Sequence, residues 1–156
     1  MKLIVAAVGK RMPAWVGDAW AEYARRFPRG LSLELREIPM AKRSRTAVIE
    51  TLRSREGDAL MAAVPAGFRV VALDEAGRQW STAGLARRLQ AWKQEERGVC
   101  FLVGGPDGLS ESCREQAADV WSLGRLTLPH PLVRPILAEQ LYRAWTITEN
   151  HPYHRN

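Results

Sequence analysis

The sequence predicts an α/β fold with a mostly parallel sheet and helices on both faces, and three observations predict it. Short continuous apolar runs at Leu3 to Val8, Val70 to Leu73 and Val99 to Val103 carry the mark of strands covered on both sides. Segments of helical periodicity separate these runs, and turns rich in glycine and proline punctuate them. With 156 residues, 46% of them hydrophobic, the chain is long enough for one domain with a substantial core and too short for two, so residues 1–156 are expected to form a single unit.

The first strand is Leu3 to Val8. Met12 to Phe27 reads as a helix, with Pro13 suited to its start and Trp15, Ala19, Tyr23 and Phe27 on one face. Leu31, Leu33 and Leu35 alternate with Ser32, Glu34 and Arg36, the period of a half-exposed strand near a sheet edge. Residues 46–63 read as a helix, and Val70 to Leu73 as a buried strand ending at Asp74. Ser81 can cap a helix running to about Glu96, with Leu85, Leu89 and Trp92 on its inner face. After the strand Val99 to Val103 comes the turn Gly104-Gly105-Pro106-Asp107-Gly108. Ser112 with Glu115 three residues later can form a capping box for a short helix. Val120 to Leu123 gives a last strand, and Leu132 to about Glu149 a closing helix with Ile136, Leu137, Leu141 and Trp145 as its apolar stripe, too rich in large side chains for one covered face of a small domain and so expected to pair two copies of the chain.

The net charge of +6 and the excess of basic residues point to a polyanionic partner. Residues 1–74 hold 13 Lys/Arg against 8 Asp/Glu, whereas residues 75–156 hold 10 against 9. The surplus gathers in three clusters, Lys10-Arg11, Arg25-Arg26 with Arg29, and Lys42-Arg43 with Arg45. These are the candidate RNA contacts, placed at loops and element ends where they can line one rim. The two cysteines, Cys100 and Cys113, lack metal-ligand spacing and read as buried, reduced packing residues, so no metal site is expected. The first apolar run is too short for a signal peptide and no run approaches the length of a membrane span, which places the expected location in the cytoplasm. The six tryptophans are dispersed and read as core and interface residues.

In open α/β sheets ligands bind beyond the carboxyl ends of the strands. Three such ends carry unusual turns here: Leu73-Asp74, Gly104-Gly105-Pro106, and Leu123-Gly124 running on to Pro129. Their convergence would make a pocket. Neither a phosphate-cradling G-x-x-x-x-G-K-[ST] nor a G-x-G-x-x-G follows the strand ending at Val103, and no G-x-S-x-G elbow supports acyl chemistry. All three histidines lie in the last fifth of the chain, within the Pro-bracketed segment Leu126 to Arg134 and the tail His151-Pro152-Tyr153-His154-Arg155-Asn156. Aromatic, imidazole and guanidinium groups crowded into a terminus imply that the tail docks on something.

These segments together resemble the ribosomal large-subunit pseudouridine N3-methyltransferase family, the smallest of the SPOUT methyltransferases, from the first residues to the last. The resemblance is carried by Lys2-Leu3 with Val8-Gly9, Tyr23 with Arg25-Arg26-Phe27-Pro28, Leu73-Asp74, the turn Gly104 to Gly108, Leu126 to Arg134, Glu139 with Leu141-Tyr142-Arg143-Ala144, and His151 to Arg155. Pro135 departs from it, standing where an aliphatic residue is expected, in the first turns of the closing helix.

The resemblance implies a C-terminal trefoil knot, in which the chain from about Val99 threads through a loop, a topology that general rules would not have favoured. It implies S-adenosylmethionine as methyl donor, a homodimer, and methyl transfer to N3 of a pseudouridine in 23S rRNA of the assembled ribosome. The donor would be held by Leu73, Gly105, Gly124, Arg125, Leu126, Thr127, Leu128 and Pro129. In the tail, His154 or Tyr153 would accept or relay the N3 proton, and Arg155 or Arg143 would steady the charge spread over the neighbouring carbonyls. His130 would orient the base or the donor loop. Two alternatives stand beside this reading: a SPOUT enzyme acting on tRNA, and a non-catalytic ribosome-binding factor on the same fold.

Overall fold

The computed structural model describes residues 1–95 and 97–155. Five strands, β1 (Lys2–Val8), β2 (Ser32–Ile38), β3 (Arg69–Gln79), β4 (Val99–Val103) and β5 (Asp119–Ser122), form one sheet in the order β2-β1-β4-β3-β5. Every pairing is parallel. Helices α1 (Ala14–Ala24), α3 (Thr82–Gln94) and α5 (His130–Thr148) cover one face, and α2 (Ile49–Ala62) and α4 (Glu111–Gln116) the other. β1 shows why the apolar runs are continuous: Leu3, Val5 and Ala7 enter the core under α1, α3 and α5, while Ile4, Ala6 and Val8 enter the core under α2 and α4. β2 lies at an edge, as its alternation requires.

Several elements differ from the sequence reading in informative ways. The buried stripe of α1 is Val16 and Trp20, flanked by Tyr23, Ala24 and Phe27, while Trp15 is 52% exposed. One residue of offset turns a helix by about 100°, and both stripes share Tyr23 and Phe27, so the period alone could not choose between them. α4 is capped by Ser110, whose Oγ accepts from the Cys113 amide, and Ser112 sits inside the helix bonded to Gln116. β3 outruns its expected end at Asp74: residues 74–77 loop out, and both Leu73 and Arg78 pair with Trp121. Ser81 caps α3 by accepting from the Gly84 amide, and the helix is seen to Gln94; its expected end at Glu96 lies outside the described residues.

α5 begins two residues early, with Pro129 as its N-cap, and Leu137 and Leu141 are wholly buried while Ile136 and Trp145 are half-buried. Pro135 stands beyond the first turn, where it removes one helical hydrogen bond, and the helix continues past it to Thr148. No helix among the described residues is long and apolar enough to cross a membrane.

Candidate active site

The carboxyl ends of β3, β4 and β5 open on a cleft of about 670 Å³, a volume in the range of small-molecule sites. The three turns singled out in the sequence form its walls. Leu73, Gly105, Gly124, Leu126, Thr127, Leu128 and Pro129 all line it. Arg125 does not: it is exposed among the residues of the strap between β5 and α5, where its charge stays hydrated.

The glycine turn is tight. A Cβ on Gly104 would lie 2.5 Å from the Gly108 carbonyl carbon, and the Gly108 amide donates to the Gly105 carbonyl at 3.0 Å. Only glycine allows so close a backbone approach at that position. Trp121 also lines the cleft and stacks on Trp80, with centroids 4.8 Å apart and planes 12° from parallel. Phe101 packs edge-on against both Trp121 and Trp92, and Trp92 is tilted against Trp80, so three of the dispersed tryptophans converge into one aromatic support beneath the site.

His130, the first residue of α5, stands in the cleft wall with Nδ1 buried and unpartnered. Burial lowers its pKa first, and the cations of Arg134 and Arg43 lower it further, so the imidazole is neutral at neutral pH. A histidine whose folded pKa is depressed favours the folded state fully above its unfolded pKa of about 6.5 and loses that contribution as pH falls through the lower folded value. Replacing His130 by Asn should therefore flatten the acid limb of the stability profile, measured by thermal melts between about pH 4 and pH 7.

Arg134, one turn after His130 on α5, does not line the cleft but anchors the helix that carries His130, and the sequence reading gave it no role. It is only 1% exposed, and its guanidinium donates to Glu37 at 2.8 Å and to the carbonyls of Val8 and Gly9 at 3.2 and 2.6 Å. It thereby fastens the start of α5 to the ends of β1 and β2. Its signal was an arginine beside the first apolar residues of a helix, a place where charge is costly unless paired.

The tail docks on its own chain. Tyr153 Oη donates to Glu139 at 3.1 Å, and the same carboxylate accepts from Arg143 Nε at 2.8 Å. The Tyr153 ring meets Tyr142 edge-on at 4.8 Å, and Arg143 lies over it at 5.0 Å. Burial first, then the Glu139 carboxylate, push the Tyr153 hydroxyl up to about 12. His154 is half-buried with Nδ1 unpartnered, and Arg155 is exposed. Among the described residues, none of these groups lines the cleft. Glu139 lies nine residues along α5 from His130, about 13 Å at the helical rise. The five expected catalytic residues thus divide into His130 at the cleft, Arg143 and Tyr153 on the α1–α5 face, and His154 and Arg155 in the tail that follows.

The basic clusters divide as well, and do not share one rim. Lys10-Arg11 follow β1, and Lys42, Arg43 and Arg45 follow β2, at the cleft edge of the sheet. Arg25, Arg26 and Arg29 precede β2 at the opposite edge, where Arg25 and Arg26 both pair with Glu22 and Arg26 lies 5.9 Å from the Tyr153 ring. Arg43 is held by Glu56 and Asp107. Among the described residues Lys10, Arg11, Lys42 and Arg45 have no ion-pair partner. Cys100 and Cys113 are buried, and desolvation pushes both thiols up, Cys100 to about 11.

Comparison with known proteins places this geometry. Residues 1–154 match the family described as "Predicted SPOUT methyltransferase". A Methylococcus capsulatus protein named "Ribosomal RNA large subunit methyltransferase H" is 54% identical over 155 residues, covering 99% of this chain and 100% of its own. A solved structure of a probable methylase family protein from Haemophilus influenzae superposes with a TM-score of 0.53 at 11% identity, over 99% of this chain and 70% of that one, and so shares the fold. With its parallel sheet, its cleft at three converging strand ends and a family match along nearly its whole length, the chain belongs to the SPOUT methyltransferases.

Proposed function

We propose that the protein transfers a methyl group from S-adenosylmethionine to N3 of a pseudouridine in 23S rRNA, acting in the cytoplasm on the assembled ribosome. The full-length match to a protein named as a large-subunit rRNA methyltransferase carries this reading. The cleft supports it. Leu73, Leu126 and Leu128 offer apolar contact for an adenine and a methionyl chain, the glycine turn offers backbone groups, and Glu75, without an ion-pair partner among the described residues, complements a cationic ligand, Asp74 and Asp107 being paired with Arg114 and Arg43.

When bound, the donor supplies a sulfonium methyl that an aligned nitrogen displaces in line, so that the nitrogen–carbon bond forms as the carbon–sulfur bond breaks. The residues of the chain supply orientation, which contributes much of the acceleration in such a step. The N3 proton must leave first. Tyr153, held protonated and donating to Glu139, suits orientation or relay, which leaves His154 as the acceptor. Arg143 and Arg155 steady the negative charge on the flanking carbonyls, and neutral His130 orients the donor strap. Mass spectrometry of rRNA from a deletion strain should show one methylated pseudouridine missing. Unchanged rRNA, with methylation of tRNA by the purified protein, would favour the tRNA alternative.

The trefoil knot belongs to the same reading. β5 is the edge strand beyond β3 and α5 packs against both α1 and α3, a placement that suits a strap between β5 and α5 passing the connection from β3 to α3. Homodimerisation belongs to it too, through only part of the stripe read in the sequence. Leu137 and Leu141 are spent in the subunit's own core, which leaves exposed Trp15 and half-buried Ile136 and Trp145 as apolar groups for a partner. Light scattering at micromolar concentration should report a dimer; a monomer would contradict this.

For the RNA, the unpaired cations at the cleft edge are the candidates. Reversing charge at Lys10, Arg11, Lys42 and Arg45 together should weaken ribosome binding and reduce its salt dependence by about three units of log slope. Reversal at Arg25 and Arg26, already paired with Glu22, should do less. Unchanged affinity at low salt in the fourfold variant would make these residues an ordinary hydrated surface.

A further inference from the structure

Arg43 has an engagement that RNA contact does not explain. It lies in the loop between β2 and α2, and its Nη2 is 2.5 Å from Asp107 on the glycine turn and 3.2 Å from Oε1 of Glu56 on α2. Its Nη1 donates to the Ala41 carbonyl at 3.1 Å, while the Ala41 amide donates to the same Glu56 oxygen at 3.3 Å. The Glu56 side chain is only 2% exposed. Its second oxygen is buried without a partner, and a Cβ on Gly105 would lie 3.2 Å from it. One guanidinium therefore bridges two carboxylates, one on the turn that lines the cleft and one buried beside that turn. A buried carboxylate is tolerated where a cation and hydrogen bonds compensate it, and Arg43 with Ala41 supplies both. Arginine suits this place because its fork reaches two acceptors at once, which a lysine point charge does less well.

We propose that Arg43 is a positioning residue for the methyl-donor cleft: anchored on Glu56, it holds Asp107 and so sets the Gly104–Gly108 turn in the shape that receives the donor. The inference rests on reading the cleft as the donor site. A turn held in place before the ligand arrives spares the cost of ordering it on binding. Arg43 acts through the turn and touches no reacting atom.

The test is calorimetric titration with S-adenosylhomocysteine, alongside donor-dependent kinetics. Asp107→Asn is the main variant, since it changes a half-buried carboxylate of the turn without altering its shape. Asp107→Asn and Arg43→Met should each raise the dissociation constant about tenfold. The double variant should be no weaker than the worse single one, because both remove the same bridge. The KM for donor should rise while turnover at saturating donor changes little, and Arg43→Lys should restore part of the affinity. Glu56→Gln, with melting temperature recorded, checks the anchor independently.

Dissociation constants within twofold of the unsubstituted protein, or losses that simply add, would overturn the proposal. So would the pattern of a pure phosphate contact, in which Arg43→Met weakens ribosome binding, Asp107→Asn strengthens it, and neither changes S-adenosylhomocysteine affinity. If the unsubstituted protein binds no S-adenosylhomocysteine, the donor reading itself fails and the proposal with it.

Discussion

Replacing Gly105 by tryptophan should abolish saturable binding of S-adenosylmethionine and S-adenosylhomocysteine, while binding to the unsubstituted protein survives a chelator. The reason is steric. A Cβ at Gly105 already lies 3.0 Å from Val8 Cγ1 and 3.2 Å from Glu56 Oε2, so an indole has no room on the core side of the turn. It must either occupy the cleft or lift the turn into it, and overpacking of this kind also costs about 1–3 kcal/mol of stability. Gly105→Ala provides the graded control, since its neighbours need to yield by only a few tenths of an ångström. Calorimetry showing unaltered affinity in Gly105→Trp would remove the donor site from this cleft.

Deleting His151 to Asn156 should leave folding and donor affinity nearly intact while lowering methyl transfer by about 10²–10⁴-fold, the usual contribution of a positioned proton-transfer group. The tail docks on the outer α1–α5 face and contributes no wall to its own cleft, so its loss opens no core. In the proposed dimer that face, with Arg26 and Arg143 beside the tail, can confront the partner's cleft. Mixing the truncated protein with full-length Gly105→Trp should then restore partial activity, because the mixed dimer pairs one intact cleft with one intact tail. Absence of recovery, with subunit exchange verified, would mean that each cleft uses its own tail.

The features of this fold that are local in sequence were legible. Continuous burial marks β1 and β4, and the cap at Ser81 is a hydrogen bond between neighbours. The cleft was legible too, because strand ends and glycine turns are local signals and only their convergence is not. What escaped was decided by distant partners. Trp15 and Val16 are equally plausible inner residues until the sheet chooses between them. Arg43 reads as free charge in a basic run, and only the 64 positions that separate it from Asp107 hide that it is spoken for. Arg134 likewise finds its acceptors at the far end of the chain. The stripe of α5 pointed to a dimer because its large residues exceed what one edge contact needs, yet α1, α3 and the sheet consume Leu137 and Leu141 entirely.

The clamp of Arg134 on Val8 and Gly9 joins positions 126 and 125 residues apart and has a consequence for how the chain is made. β1 is synthesised first and occupies an interior place in the sheet, between β2 and β4. Its later neighbour emerges only when Val99–Val103 does, and the Arg134 clamp on its carboxyl end closes only once α5 has left the ribosome. Non-local pairings of this kind are slow, because the intervening chain must be closed into a loop before the contacts compensate. The strand born earliest therefore waits on the helix born last, and the nascent protein carries an incompletely covered apolar strand through most of its own synthesis.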